Sequence, residues 1–362
     1  MHDVAVVGGG PVGVLLAVLL AQRGVDAVVI EERDCIAERP RAVGIHPPAV
    51  EALAEAGVDV AAHGRALHDG AAFADGRELG RLRLDGVYTL AQQQVERMLR
   101  AQLATLRPGG LVLGERVHGL RRVPGGRELL LESGRRGPTA RLIVGADGIG
   151  SSIRELAGIG SVARRGTAHY IMADVAGDGL GDSALLSFER AGVVESFPLP
   201  GAGRRWVALV PRPRPAASVA ELAAIVAART GLHMPTDATT ASSFTARQHL
   251  SRRVVGEGAN ADIVLLGDAA HEISPIGGQG LNLGWLDARA LAEVLTGDRD
   301  LGRYNAERMR AASRASAQAA FNMGMGRPLP GPAHAARSLT IRALARPPFA
   351  PRLADAFTMR TL

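Results

Sequence analysis

The chain has 362 residues, 47% of them hydrophobic, which is enough for a large buried core and predicts about two structural units. Its single cysteine, Cys35, excludes an intrachain disulfide framework and a metal site built from several thiolates. The net charge is +6 and all 42 basic residues are arginines, so chemistry that requires lysine, such as a Schiff base or a P-loop, is excluded.

Hydropathy and charge patterning narrow the class further. No apolar run approaches the roughly 18 residues of a membrane-spanning helix, and the N-terminus lacks a secretory signal. Aromatic residues make up only 3% and no block of like charges occurs, which argues against a nucleic-acid surface. We expect a cytoplasmic protein, monomeric or homodimeric, with no metal site, no nucleic-acid partner and no membrane contact.

The first 31 residues have the pattern strand–helix–strand. Residues 4–7 form a short apolar run that ends at a glycine cluster, as a buried strand does. Residues 12–23 predict a helix that ends at Gly24, and residues 27–30 predict a second buried strand. This order is typical of a nucleotide-binding unit with parallel strands.

Beyond this unit, apolar patterns separated by Gly and Pro predict both helices and strands. Helices are predicted at 47–57 and 92–106, and strands at 111–113, 117–123, 128–132 and 142–144. Residues 165–250 alternate in polarity, with strand-like runs at 193–197 and 206–210. A buried strand at 263–266, a helix at about 280–296 and a helical tail broken at 326–332 and 346–351 follow.

The glycine cluster after the first strand reads GGGPVG at 8–13 and matches the dinucleotide fingerprint GxGxxG. Gly8 is expected to form the tight turn, Gly10 to let the backbone approach a pyrophosphate, and Gly13 to let the helix pack close to the strand. The helix start at Val12 offers N–H groups to the phosphates. Glu31, 18 residues after Gly13 at the end of the second strand, can bind a ribose diol and favours FAD or NAD over NADP.

Two further motifs each follow a buried strand. The first reads GADGIGSSIR at 145–154; the second reads GDAAH at 267–271, followed by Pro275, GGQG at 277–280 and Asn282. In this order and spacing, the three motifs resemble the class A FAD-dependent monooxygenases, the aromatic hydroxylases similar to para-hydroxybenzoate hydroxylase. The resemblance covers roughly residues 3–300, and the chain is similar to the short form that lacks a thioredoxin-like C-terminal domain.

The resemblance implies an α/β fold: a Rossmann-like FAD-binding domain of the GR2 type, an inserted and mostly antiparallel β-sheet domain for the substrate, and a C-terminal helical segment. We expect the FAD-binding domain to comprise residues 1–68, 88–164 and 251–300, and the substrate domain residues 69–87 and 165–250. The helical segment, 301–362, is interpreted as a cap on the FAD domain; contact with a membrane surface is the alternative. The pocket should lie between the two domains.

The family motifs also imply roles for particular residues. Asp268 would hold a ribityl hydroxyl of FAD, and Asp147 would lie in the groove shared with the nicotinamide cofactor. The residues expected beside the isoalloxazine ring are Pro275, Gly278, Gly280, Leu281 and Asn282. Residues 275–280 would form the loop beside the ring, here called the flavin loop, and Pro275 and Gly278 are its catalytic candidates.

Four matches are less specific. Arg41 stands where the family has an arginine near the flavin or its phosphates, and Arg33 could approach the adenine; a surface position is the alternative for both. Gln92 matches the glutamine that reaches the ribityl chain, although the register among three adjacent glutamines stays open. His46 is the candidate for a catalytic base, against the alternative of a core or supporting histidine.

Other polar residues stay open between a ligand-facing and a structural position. We interpret His271 as a structural residue that holds its loop. His169, Tyr170, Arg190 and Glu195 lie in the substrate sheet, where the pattern does not say which of them face the ligand.

By analogy with the family, NADPH or NADH would reduce FAD, and the reduced flavin would add O2 to form a C4a-hydroperoxide. Its distal oxygen would pass to an aromatic or polycyclic small molecule of secondary metabolism. Two alternatives stay open: an FAD dehydrogenase that inserts no oxygen, and a non-redox flavoprotein that binds or cyclises a natural-product intermediate. A flavin-dependent halogenase is rejected because it needs an active-site lysine and a Trp-x-Trp motif, and this chain has neither.

Overall fold

The computed structural model describes residues 1–37, 44–163, 167–176, 179–237, 240–274, 277–297 and 300–361. Two residues predicted to contact the flavin, Arg41 and Pro275, lie outside these ranges. Within the described ranges, no helix is long and apolar enough to cross a membrane. The same residues contain no cluster of three or more His, Cys, Asp or Glu side chains that could hold a metal ion.

The described residues form strands and helices throughout the chain. The strands are β1 (His2–Val7), β2 (Ala27–Ile30), β3 (Gly44–Ile45), β4 (Arg65–Ala74), β5 (Arg77–Thr89), β6 (Leu111–Val112), β7 (Val117–Val123), β8 (Gly126–Leu131), β9 (Arg136–Gly145), β10 (Ser161–Ala163), β11 (Ala168–Val175), β12 (Ala184–Glu189), β13 (Gly192–Pro198), β14 (Arg204–Val210), β15 (Ser242–Ala246), β16 (His249–Ser251), β17 (Ile263–Leu265) and β18 (His271–Glu272). The helices are α1 (Pro11–Gln22), α2 (Pro47–Glu55), α3 (Val60–His63), α4 (Gln92–Leu106), α5 (Ser152–Leu156), α6 (Val219–Thr230), α7 (Gln279–Thr296), α8 (Leu301–Met325), α9 (Gly331–Leu344) and α10 (Phe349–Phe357).

The first sheet has the strand order β6-β2-β1-β9-β8-β7, with β17 also paired to β9. The strands β6, β2, β1, β9 and β17 pair in parallel, and β7 and β8 join as an antiparallel extension. Val7, Gly145 and Leu265 stand side by side in the register at the carboxyl ends of β1, β9 and β17. Ligands of such sheets bind beyond the carboxyl ends of the strands, and the three sequence motifs all start there.

Helix α1 begins within the first motif and is buried in the core. Pro11 occupies its first turn, where a missing N–H costs nothing, and nine of its twelve residues are buried. Because the helix is apolar on every side, it is enclosed between α4, α7 and the sheet.

The second sheet has the order β15-β11-β14-β13-β12-β4-β5-β3 and is antiparallel except for the pair β12–β4. Alternate residues point to opposite faces. One face, which includes Ile171, Val194, Trp206 and Ala208, packs against α6 in a core of its own. The opposite face lines a cavity. The predicted antiparallel character is confirmed, and the domain boundaries stay predictions.

Helix α6 was not predicted from the sequence, although its signals are present. The hydroxyl of Ser218 accepts a hydrogen bond of 3.1 Å from the N–H of Glu221, and Gly231 ends the helix with a φ of 71°. Ser and Glu three residues apart form a capping box, which the alternating pattern of the surrounding segment obscured.

The C-terminal helices break where the sequence predicted, but they do not cap the FAD domain alone. Helix α8 packs against α7, whereas α9 and α10 pack against β5 of the second sheet. The buried guanidinium of Arg337 fixes this position by donating to the carbonyls of Phe188 and Glu189 and to those of Met325 and Arg327. An arginine that spans four carbonyls is a tertiary contact, so the local pattern did not reveal it.

Candidate active site

One continuous cavity of about 920 Å³ runs from the carboxyl ends of the first sheet to the inner face of the second. Of the predicted cofactor residues that the structure describes, all line this cavity except Gly13 and Asn282. Gln92 and Gln93 both line it, whereas Gln94 is exposed.

The fingerprint turn has little free space on its protein side. Gly8 has a φ of 108°, and a Cβ there would lie 2.3 Å from the carbonyl oxygen of Ala146. A Cβ on Gly13 would lie 2.1 Å from the carbonyl oxygen of Gly8. A Cβ on Gly10 would meet no protein atom within 4 Å, and Gly10 lines the cavity. The glycines therefore divide as predicted, with Gly8 and Gly13 required by the fold and Gly10 open toward the ligand space.

The acid at the end of β2 is held in place by donors. The carboxylate of Glu31 accepts hydrogen bonds from the N–H of Gly9 (2.6 Å), from the N–H of Arg33 (3.0 Å) and from the guanidinium of Arg33 (2.6 Å). Burial alone would raise the pKa of Glu31, but the bonds from Arg33 and Gly9 outweigh it and lower the pKa. Glu31 is thus ionised at neutral pH and oriented at the cavity wall.

A second acid–base pair near this end was missed from the sequence. Arg100 donates to the carboxylate of Glu96 (2.8 Å) and to the carbonyl of Gly9 (3.1 Å). Glu96 lines the cavity, and burial raises its pKa while Arg100 acts in the opposite direction. The i, i+4 spacing of the two residues on α4 was the available signal.

The second motif is organised around Asp147. Its carboxylate accepts hydrogen bonds from the hydroxyls of Ser151 (2.5 Å) and Ser152 (3.1 Å) and from the N–H of Ile153 (3.1 Å), which fixes the start of α5. Arg154 donates to the carbonyl of Ala269 at 2.9 Å and so joins the second motif to the third.

The third motif packs directly on the first. A Cβ on Gly284 would lie 2.7 Å from Val12 and 3.1 Å from the Cα of Gly267, so α1, α7 and the turn before Asp268 meet without a gap. Asp268 itself is exposed and lines the cavity. Val12 therefore contributes a packing contact as well as its place at the helix start.

A buried charge cluster supports this turn from behind. The carboxylate of Asp287 binds His271 (2.5 Å) and Arg308 (2.6 Å) and accepts a longer bond from the N–H of Gly267 (3.4 Å). Burial would raise the pKa of Asp287, but Arg308 and His271 lower it. His271 is buried and does not line the cavity, in agreement with the structural position we expected for it.

Gly277 and Gly278 lead into the 18-residue helix α7, and Gly280 and Leu281 in its first turn line the cavity. The first four N–H groups of a helix have no partner within it, and its dipole favours negative charge there. Asn282 lies below this wall rather than in it. Its side chain donates to the carbonyls of Gly44 (2.9 Å) and Gly278 (2.6 Å) and accepts from the N–H of His46 (2.8 Å).

His46 lines the cavity beside the loop and contacts the carbonyl of Gly277 through Nε2 at 2.8 Å. A carbonyl only accepts, so Nε2 carries the proton in this contact and Nδ1 does not. Burial lowers the pKa of His46 to about 4, and the bond to Gly277 only partly opposes this. A neutral ring with so low a pKa is a weak base, which favours the supporting role over the catalytic one.

The far end of the cavity is an apolar chamber on the inner face of the second sheet. Leu186, Phe197 and Val207 line it together with one acid, Glu195. His169 instead binds the hydroxyl of Thr245, outside this chamber. Tyr170 is buried and stacks on Phe244, and neither Tyr170 nor Arg190 lines the cavity.

Helices α8 and α10 close the chamber opposite the sheet. Phe321 and Met325 of α8 and Leu353 and Phe357 of α10 face it. The local sequence pattern did not indicate that this segment reaches the site, because the contacts that hold α9 and α10 on the second sheet join residues far apart in the chain.

Comparison with known proteins shows the family of the chain. The family model described as "FAD binding domain" matches residues 1–319. A rifampicin monooxygenase of Rhodococcus hoagii is 30% identical over 316 residues, 80% of this chain and 62% of that protein. The 3-demethoxyubiquinol 3-hydroxylase of Escherichia coli strain K12 is 32% identical over 331 residues, 83% of this chain and 81% of that protein. The solved structure of p-nitrophenol 4-monooxygenase from Pseudomonas putida DLL-E4 has a TM-score of 0.85 at 22% identity and covers 99% of this chain and 98% of that one.

This chain belongs to the FAD-binding domain family of these flavoprotein hydroxylases. Its site fits the cofactor: an open glycine faces the place of a pyrophosphate, an ionised acid ends β2, and a helix N-terminus faces the place of the flavin. The chain spans less than two thirds of the length of the first two curated relatives, at 62% and 56%.

Proposed function

We propose that this chain is an FAD-dependent monooxygenase that uses NADPH or NADH and O2 to hydroxylate an aromatic or polycyclic small molecule. The observation that carries the proposal is the continuous cavity, which extends from the fingerprint turn past Gly277 and Gly278 into an apolar chamber. A hydroxylase needs this continuity because oxygen must pass from the cofactor to the substrate with water excluded.

Bound FAD supplies the redox and oxygen chemistry, and the chain supplies position, dryness and electrostatics. Glu31 would bind the ribose diol of the adenosine, with Arg33 beside it. The N–H groups of Gly280 and Leu281 would bind the pyrimidine edge of the ring, where negative charge develops on reduction. His46 would hold the loop in place as a neutral hydrogen-bond donor.

The names of the curated relatives support the substrate class. They describe a rifampicin monooxygenase, a 3-demethoxyubiquinol 3-hydroxylase and a 6-methylpretetramide 4-monooxygenase. An apolar chamber of this kind suits a ring system of similar character. The free and exposed Cys35 is compatible with the reducing cytoplasm that we propose as its location.

The fold alone does not separate oxygen insertion from cyclisation. A solved structure described as a Diels-Alderase shares it with a TM-score of 0.82 at 24% identity. Four relatives at 30–32% identity are named monooxygenases or hydroxylases, and this favours oxygen insertion.

The test begins with the absorption spectrum of the purified protein, loaded with FAD where needed. NADPH or NADH is then added under labelled O2 with a panel of phenols, naphthols and anthraquinones, and the FAD-free protein serves as the control. Substrate-stimulated loss of the reduced nicotinamide and a product carrying one labelled oxygen atom are the expected results. Reduction of the flavin without a labelled product across the panel would favour a dehydrogenase, and failure to bind FAD would refute the proposal.

A further inference from the structure

We propose that Glu195 is the acceptor that binds an O–H or N–H donor of an uncharged aromatic substrate and that its charge keeps aromatic carboxylates out of the chamber. The assignment depends on the proposed function only in taking the chamber to be the substrate site.

The register of β13 puts Glu195 in the middle of the chamber wall. Glu195 stands opposite Leu186 of β12 and Val207 of β14, and all three line the cavity. Its neighbours on the same face of β13, Val193 and Phe197, line it as well. An acid therefore interrupts a mostly apolar surface at a central strand.

The carboxylate of Glu195 has no partner within the described part of the chain. Its residue is only 5% exposed, and no hydrogen bond or ion pair reaches it. Arg205 lines the same cavity, but its guanidinium binds Asp174 through two bonds of 2.6 and 2.7 Å. Tyr170 is close enough for the charge of Glu195 to raise its pKa, although no bond joins the two.

Such a group is costly to the folded protein. A carboxylate on an apolar wall loses part of its hydration without compensation from the protein, and here burial raises the pKa of Glu195 to about 7. Buried polar groups are almost always hydrogen-bonded in native proteins. An unpartnered acid on a ligand-facing wall is thus best explained by a partner that arrives with the ligand.

The chemistry of the group selects the ligand. An ionised carboxylate accepts the proton of an aromatic hydroxyl in a hydrogen bond, and electron density then moves from that oxygen into the ring. If the proton transfers completely, the substrate O–H bond breaks, the O–H bond of the Glu195 acid forms, and no further reactant is needed. A substrate carboxylate would instead place a second negative charge beside Glu195 in a poorly screened site.

Three probes with the same naphthalene ring and a different substituent test the assignment: 2-naphthol, its methyl ether 2-methoxynaphthalene, and 2-naphthoate. Their dissociation constants are measured from the change in the flavin spectrum of the oxidised, FAD-loaded protein, without NADPH or NADH, above the pKa of Glu195. The parent should prefer 2-naphthol to the ether by about tenfold or more, as expected for a hydrogen bond to a charged group.

The variant Glu195→Gln keeps the size of the side chain and removes its charge. We expect it to bind 2-naphthol about tenfold more weakly and 2-naphthoate more tightly by a similar factor. Opposite shifts of this kind exclude a general loss of structure. Glu189→Gln is the matched control. Glu189 is buried on the neighbouring strand β12 and burial also raises its pKa, but it does not line the cavity, so neither affinity should change.

Shifts of both affinities in the same direction, no shift, or no binding of any probe to the parent would overturn the assignment. These outcomes are independent of catalysis. A protein that shows the opposite shifts but inserts no oxygen would refute the proposed function and leave the role of Glu195 intact.

Discussion

Replacing Asn282 by alanine tests the flavin loop most directly. Its fully buried side chain joins β3 to the start of α7 through three hydrogen bonds, to the N–H of His46, the carbonyl of Gly44 and the carbonyl of Gly278. The substitution Asn282→Ala would remove all three and leave one buried donor and two partly buried acceptors without this partner.

The expected magnitude follows from these bonds. A buried polar group left without a partner costs about 1–3 kcal/mol, so the three together should weaken the packing of β3 against the start of α7 by about 3 kcal/mol. We expect FAD to bind only when β3 and the start of α7 are held together. A cost of about 3 kcal/mol transferred to binding corresponds to a roughly 100-fold weaker dissociation constant for FAD.

The assay is a titration of the FAD-free protein with FAD, followed by the quenching of flavin fluorescence, together with thermal unfolding. Asn305→Ala is the control, because Asn305 accepts bonds from the N–H groups of Val254 and Val255, away from the cavity. The control should lose stability but keep its affinity for FAD. Affinity within about threefold of the parent in Asn282→Ala would refute the reasoning.

Three other substitutions have definite expected outcomes. Gly10→Ala adds a methyl group that meets no protein atom but borders the cavity, so the protein should fold and bind FAD at least tenfold more weakly. Gly324→Ala is the control: its methyl group also meets no protein atom, at an exposed position of α8, so the affinity for FAD should not change. The pKa of His46 is about 4 in the folded protein against 6.5 ordinarily, so the unfolded chain takes up the proton first. The unfolding free energy of the parent should therefore fall by roughly 3 kcal/mol between pH 6.5 and 4, and less in His46→Gln, as measured by denaturant unfolding. Arg337→Met leaves four carbonyls without their donor and should lower stability by about 3 kcal/mol while FAD affinity is unchanged.

Each of these three predictions has an outcome that would contradict it. Unchanged FAD affinity in Gly10→Ala would mean that the cofactor does not approach this glycine. An equal pH slope in parent and His46→Gln would assign the acid sensitivity to another group. Loss of FAD from Arg337→Met would show that the C-terminal helices support the cofactor as well as the chamber.

The cofactor end of the site was predictable because its determinants are local. The turn at Gly8, the packing of Gly13 and the acid at Glu31 each depend on a strand, a turn and a helix that are contiguous in the chain. Short-range periodicity and glycine spacing reflect these constraints directly, so the sequence could predict both the motifs and the parallel strands that they follow.

Asn282 shows where the prediction was incomplete. We placed it at the edge of the flavin, whereas its side chain is occupied by backbone groups of β3 and of the flavin loop. The family motif marks the position, but which atoms an amide binds depends on a strand more than 200 residues earlier in the chain.

By itself, the sequence determined the FAD-binding fold and predicted the residues around the cofactor, since both depend on short contiguous patterns. Only the tertiary structure decided the substrate end. That Glu195 faces the chamber rather than α6 depends on the register of β13 with its neighbours, because a slip of one residue reverses every side chain of a strand. The far wall depends on α8 and α10, which the buried contacts of Arg337 bring back onto the second sheet.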